Sequence, residues 1–401
     1  MLPLLGFHCL RMLFGFYVVS ITIVVCSNVD PFYVINSHDY CGKLDLPVYK
    51  PRGNIDPFLV RLSSVHVLMR HGARSDHEAF SGCFALGERT RYKCEGRSLF
   101  TLASPSFEGR FHVLSKKYEG GQCSLGQLLD QATSQLVRLG EYLKSTYPTN
   151  FACDNENKIY LYATDTQRTF ATLGTVLSVL FPARFYGKNF DVHTKDHGLD
   201  AFAMNNPTCS YFAKNRANFQ TSSSYIDFLA TPQFLKCATI WKSVFKTKLD
   251  IWHAADCLLS PTCAQVSLPN NIAVPPALFK CVMDLTSEIR DHEYGQRKSS
   301  EYYPIGKKLC DLNTFKVFRE LQRDHVGGIY ALHDETLVCL LTSLGIWDGK
   351  WPKYASIIAF EFYTDNKIRV MRDGIEIATI TGGLRVENIP TIAEYERLCA
   401  E

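Results

Sequence analysis

No Cys-x-x-Cys pair occurs among the fifteen cysteines of this 401-residue chain. Its absence argues against a zinc ribbon and for disulfides formed in an oxidising compartment. Long runs of like charge are also missing, and the net charge is only +3. Composition therefore gives no case for nucleic-acid binding. There is no internal repeat and no low-complexity tract. An Asn-x-Ser/Thr sequon is lacking too, because Asn206-Pro207-Thr208 is spoiled by its proline, so N-glycosylation is not expected. His77, His112, His193, His197, His253, His292 and His325 show no metal-ligand spacing. No metal and no cofactor are assigned. What remains is an ordinary globular composition, 46% apolar and 21% charged, long enough for one large domain or two coupled ones.

The N-terminus fits the oxidising compartment. His8 and Arg11 precede residues 12–26, which carry no charge. That is the shape of a secretory signal peptide, with Val24 and Cys26 as a tolerable cleavage site. A type II signal anchor is the rival reading, since residues 2–10 are apolar and Arg11 can snorkel. Either way, the bulk of the chain faces the lumen. Thirteen cysteines lie beyond this segment, an odd number that leaves at least one thiol free or paired with another chain. Cys339, in an apolar helical run, reads as a candidate buried core thiol. No cysteine has the basic neighbourhood that a cysteine nucleophile needs.

Periodicity divides the chain as follows. Residues 27–62 are a loop-like lead-in. Residues 65–69 are a short apolar run that reads as a buried strand. Residues 124–147 show helical spacing, with Ser124 as a possible cap and Pro148 as the stop. A second strand is expected over 158–163, followed by a helix over 166–180. From about 191 to 308, cysteines, prolines and helical runs such as 231–255 and 276–292 dominate. A third strand is expected over 326–332, then a helix over 335–344 capped by Gly345. Residues 356–363, 368–371 and 375–380 read as a terminal strand meander. The expected fold is α/β: a mixed sheet core with helices on both faces, built from 63–190 and 309–401. A mainly helical, cysteine-rich cap would occupy 191–308.

Each of the three strand-to-helix junctions ends in reactive residues. The first is Arg70-His71-Gly72-Ala73-Arg74, the second Thr164-Asp165-Thr166-Gln167-Arg168, and the third His333-Asp334. Parallel neighbouring strands would bring all three to one edge of the sheet. An imidazole needs cations around it when it attacks an anion. Arg70, Arg74 and Arg168 each offer a guanidinium fork for phosphate oxygens. Neutral His71 would attack phosphorus and carry a phosphohistidine. His333, as imidazolium, would be a further donor. Asp334 would protonate the departing alkoxide and later help deprotonate water. The expected partner is a phosphate monoester.

On these residues the chain resembles the histidine acid phosphatase family, which carries an Arg-His-Gly-x-Arg motif early and a His-Asp motif late. Three further stretches are similar to that family: Ser124-Leu125-Gly126-Gln127-Leu128, Ala163 to Thr169, and Trp351-Pro352-Lys353-Tyr354-Ala355-Ser356. The resemblance implies an α/β core with a helical cap. It implies His71 as nucleophile, Asp334 as proton donor, and Arg70, Arg74, Arg168 and His333 as phosphate ligands. Within the family, an anchored Golgi branch acts on a phosphorylated xylose of the glycosaminoglycan linkage region. A secreted or lysosomal acid phosphatase stands beside it. One departure is visible: where the family usually has a proline two residues after the second arginine, this chain has Ser75-Asp76. Asp76 would add negative charge near the site.

Bland readings stand beside these. Asp334 could be no more than a helix cap, and Arg168 could pair with a surface acid. His66, inside the first strand, reads as a core histidine. Two other functions are an impaired phosphate- or glycan-binding protein of this fold and a phosphomutase of the same superfamily.

Overall fold

The computed structural model describes residues 60–76, 125–151, 158–182, 190–195, 217–265, 274–294 and 325–381, with scattered positions between them. The expected signal or anchor segment and Ser124 lie outside the described residues. Among the described residues, no helix is long and apolar enough to cross a membrane.

Eight strands are described: β1 (Leu62–Arg70), β2 (Leu102–Ala103), β3 (Arg110–Phe111), β4 (Ile159–Ala163), β5 (Gly327–Leu332), β6 (Ile357–Tyr363), β7 (Lys367–Arg372) and β8 (Ile375–Thr381). Six form one sheet in the order β4-β5-β1-β6-β7-β8, while β2 and β3 pair separately. Strands β4, β5 and β1 are mutually parallel. The remaining pairings, from β1 to β8, are antiparallel. The sheet is therefore mixed, as expected. The Asn366 and Asp373-Gly374 turns of the meander have positive φ, at 62°, 48° and 81°.

Helices α1 (Asp130–Thr146), α2 (Gln167–Leu180), α3 (Ser223–Leu229), α4 (Pro232–Phe245), α5 (Ile251–Ala264), α6 (Pro276–Glu293) and α7 (Asp334–Ser343) complete the description. Helix α1 starts later than its spacing suggests, at Asp130, whose charge suits a helix N-terminus. The helical run over 231–255 is two helices. Lys246 ends α4 in the left-handed region, and the Asp250 side chain accepts from Trp252 N–H to start α5.

Strand alternation sends side chains to two cores. Val65, Val67 and Met69 join a cluster with Leu136 of α1 and Leu173 of α2. The same cluster continues through Trp241 of α4, Leu258 of α5 and Leu278 of α6. Leu68 points the other way, with Tyr330, Phe360, Leu337 and Leu341 of α7. Helices thus cover both faces of the sheet. Gly140 lets α1 and α2 approach, since a Cβ there would lie 2.8 Å from Val179 Cβ.

Disulfides join Cys41–Cys263, Cys94–Cys123, Cys237–Cys281 and Cys310–Cys339, and Cys257 is also disulfide-bonded. Cys339 is therefore not the core thiol its helical setting suggests. Its helix packs beside the segment carrying Cys310, a proximity that local pattern does not encode.

Candidate active site

The carboxyl ends of β1, β5 and β4 lie side by side, and each feeds a motif into one buried site. The parallel registers pair Arg70 with Leu332 and place Ala163 opposite Ala331. All six residues singled out in the sequence gather here: Arg70, His71, Arg74, Arg168, His333 and Asp334.

His71 is 2% exposed. Its Nδ1–H donates to Gly72 O at 2.9 Å. A carbonyl can only accept, so Nδ1 carries the hydrogen and Nε2 presents its lone pair. Burial, then the guanidiniums of Arg168 and Arg70, His333 and Arg74, hold the His71 pKa well below the usual histidine range. The lowered pKa favours the neutral ring. Gly72 sits where a Cβ would lie 2.8 Å from Ala132 Cβ, and its N–H donates to Thr172 Oγ1 at 3.1 Å. The glycine lets helix α1 come up against the motif.

Arg70 is held on several sides. It donates to Pro352 O at 2.6 Å, pairs with Asp334 Oδ2 at 2.5 Å, and lies 4.2 Å over the Tyr354 ring. The turn carrying Tyr354 is anchored at Ala355, which has φ 59° and donates its N–H to His71 O at 3.1 Å. A non-glycine residue in this region is a local cost accepted at the site.

Asp334 opens α7, with His333 as N-cap. Its Oδ1 accepts from Glu335 N–H at 3.0 Å and its Oδ2 from Trp351 Nε1–H at 3.2 Å. Burial alone would raise its pKa. Arg70 and Arg74, with His333 and Arg290, outweigh burial and hold the carboxyl well below its usual range. The residue is in the first helical turn, but these partners make it more than a cap. His333 Nε2 lies 2.8 Å from Thr164 Oγ1, and Arg168 Nη2 faces its Nδ1 at 3.5 Å. The His71 and His333 rings are 5.5 Å apart. Burial, then repulsion by Arg74, lowers the Arg168 pKa to about 9, which leaves it a cation in acid. Arg168 faces the site and not a surface acid.

The Ser75-Asp76 departure is accommodated. Ser75 N–H donates to Gln127 O at 2.9 Å, and Ser75 Oγ accepts from Gln127 N–H at 3.1 Å. Asp76 is buried and accepts from the Tyr92 hydroxyl at 3.0 Å. One strand-like bond, one bond to the serine hydroxyl and a phenol donor hold the loop where the family usually has proline.

Four participants were not visible in sequence. Asp256 of α5 lies 2.9 Å from Arg74 Nη1. Tyr354 and Trp351 belong to a stretch that was matched to the family without a role. Arg290 of α6 lies over the Trp252 and Trp351 rings, at 4.7 and 5.2 Å. Among the described residues, no group of three or more histidine, cysteine or acidic side chains is placed to hold a metal.

The chain has known relatives. The model of the histidine phosphatase superfamily, branch 2, matches residues 61–291. The chain belongs to that family. Testicular acid phosphatase of Mus musculus is 26% identical over 270 residues, which cover 62% of each chain. 2-Phosphoxylose phosphatase 1 of Homo sapiens is 21% identical over 357 residues, covering 80% of this chain and 72% of that one. Counting factor 60 of Dictyostelium discoideum is 22% identical, and the match spans 64% of its length. The chain thus spans somewhat less than two thirds of the testicular enzyme and of Counting factor 60. Among solved structures, a phytase of Klebsiella sp. ASR1 aligns with a TM-score of 0.52 at 14% identity, covering 89% of this chain and 95% of that one. That likeness establishes the shared fold.

Proposed function

We propose that this protein is an acid phosphatase that hydrolyses phosphate monoesters through a phosphohistidine on His71. The observation that carries the reading is a neutral imidazole with its lone pair on Nε2, set among three arginines. In this account Nε2 attacks phosphorus, and the bond to the ester oxygen breaks. Arg70, Arg74, Arg168 and His333 bind the phosphoryl oxygens and stabilise the charge that builds on them. Asp334 gives its proton to the departing alkoxide. Water then attacks the phosphohistidine with Asp334 as base, releasing phosphate and freeing His71.

Asp334 starts ionised, so the proton must arrive with the substrate. A monoester loses its second proton at about pH 6, so below that value the monoanion can supply it. Acid preference follows from this site. The hydrogen bonds that hold Ser75 and Asp76 to Gln127 and Tyr92 support catalysis over an impaired binding protein.

The finer reading is a phosphorylated glycan, such as 2-phosphoxylose of the glycosaminoglycan linkage region, met in the secretory pathway. Two observations support it. The match to the 2-phosphoxylose enzymes reaches 87% of this chain in Mus musculus, and the disulfides fit an oxidising lumen. A Golgi anchor and a cleaved signal with secretory or lysosomal delivery both agree with these points. The helices between residues 191 and 308 serve in this account as the cap, and the sheet with α1, α2 and α7 as the catalytic core.

The test is phosphate release from an aryl phosphate and from a 2-phosphoxylosyl glycan, across acid to neutral pH. Release from both, with a higher kcat/KM for the glycan, supports the full reading. Release from the aryl ester alone removes the glycan. Release from neither overturns the phosphatase.

A further inference from the structure

Trp351 is buried, and its one polar side-chain atom is aimed at Asp334. The indole Nε1–H donates to Asp334 Oδ2 at 3.2 Å. The chain on either side of this tryptophan is pinned. Lys350 O, just before it, accepts from Trp347 Nε1–H and from Arg372 Nη2–H, both at 3.1 Å. Pro352 O, just after it, accepts from Arg70 Nη1–H at 2.6 Å. Arg70 in turn reaches Asp334 Oδ2 through Nη2, at 2.5 Å. These contacts close a ring that runs from Asp334 through Arg70, Pro352 and Trp351 back to the same carboxylate oxygen.

The two side chains on Oδ2 respond differently to a ligand. Arg70 is a cation beside the anion site, so bound phosphate competes with Asp334 for its guanidinium. An indole N–H carries no net charge to be drawn away. Its ring is also held, because Arg290 of α6 lies 5.2 Å over it and pairs with Glu293 and, at 3.5 Å, with Glu335 beside Asp334. A further bond, from Glu335 N–H to Oδ1, is local to the first turn of α7. Arg74, His333 and Arg290 add charge around the carboxylate, whereas Trp351 adds direction. A general acid must take up a proton and still keep its aim, and a neutral donor opposes protonation less than a cation does.

We propose that Trp351 is a positioning residue for the proton transfer: it holds Asp334 toward the departing ester oxygen when the ligand draws Arg70 to phosphate. This rests on the phosphatase reading above. It adds a residue outside the Arg-His-Gly-x-Arg and His-Asp motifs. Trp351 acts through Asp334 and is not itself a phosphate ligand.

The test is steady-state kinetics of the full chain with para-nitrophenyl phosphate and with β-glycerophosphate, whose alkoxide leaving group depends more on the proton. Trp351→Phe keeps an aromatic ring under Arg290 and deletes the N–H. It is expected to lower kcat about tenfold for glycerophosphate and less for the aryl ester, with KM near wild type for both. In an Asp334→Asn background, where the acid is already gone, the same substitution is expected to cost nothing further. Should the phenylalanine variant fail to fold, Trp351→Leu deletes the same donor. Equal losses for the two esters, a loss that adds to that of Asp334→Asn, a change in KM alone, or an unchanged kcat would make Trp351 a packing residue and overturn the proposal. Absence of phosphate release from either ester by folded wild type would instead overturn the phosphatase reading on which it rests.

Discussion

At the scale of single residues, the site turns on two protons. One is fixed on His71 Nδ1 by Gly72 O, which leaves Nε2 free to be the nucleophile we propose. In the proposed mechanism the other must reach Asp334, which pairs with Arg70 at 2.5 Å. Replacing His71 by alanine should drop phosphate release to background at every pH while phosphate still binds. Asp334→Asn should lower kcat by about 10²–10⁴-fold for alkyl esters. The loss should be smaller for aryl esters, whose leaving groups need less help. Equal losses for both substrate types would argue that Asp334 only orients Arg70. The pH profile has a definite sign. Because the free carboxyl is held down, kcat/KM should fall as pH rises past the second ionisation of the ester, near 6.

At the scale of elements, strand β1 does two jobs. Its end delivers Arg70 and His71, and its middle buries His66 against Tyr330 and Phe362. Burial lowers the His66 pKa from 6.5 to about 4, with repulsion from His325 adding to it. The unfolded chain then binds more protons than the folded one between those values. Stability is therefore full above pH 6.5 and falls as pH drops toward 4, by up to about 3 kcal/mol for this group. His66→Leu should flatten that part of the stability–pH curve, measured by urea unfolding. Gly72→Ala should destabilise the fold and impair turnover together, because the added Cβ meets Ala132.

The elements were legible where local pattern carries them. Short apolar strands ending in Arg-His-Gly, Thr-Asp-Thr and His-Asp marked all three junctions. Their convergence was conditional on parallel neighbouring strands, which the pairing of β1, β5 and β4 supplies. The break between α4 and α5 was not legible, because the apolar spacing of 231–255 continues across Lys246. Asp256 was hidden for a different reason. It lies 182 positions from Arg74, on a helix whose spacing reveals only which face is buried. Cys339 paired with Cys310 for the same reason: connectivity belongs to the fold. The partners of Ser75 and Asp76, Gln127 and Tyr92, were not legible because they come from segments distant in sequence.

At the scale of the whole molecule, helices α4 to α6 and the sheet share one apolar cluster, and Cys41–Cys263 ties the chain before β1 to the end of α5. That bridge spans 222 positions, so by chain entropy it should contribute roughly 2–5 kcal/mol. Cys41→Ser with Cys263→Ser should lower the melting temperature, and reductant should reproduce the effect in the wild type. The same link bears on function, because α5 also carries Asp256 to Arg74. The central claim, however, is a covalent one. Wild type and His71→Ala would be mixed with an aryl phosphate in acid, quenched within the turnover time in base, and mapped by peptide mass spectrometry. The account predicts phosphate on the peptide carrying His71, in wild type only. Brisk phosphate release with no phosphohistidine, undiminished in His71→Ala, would contradict it.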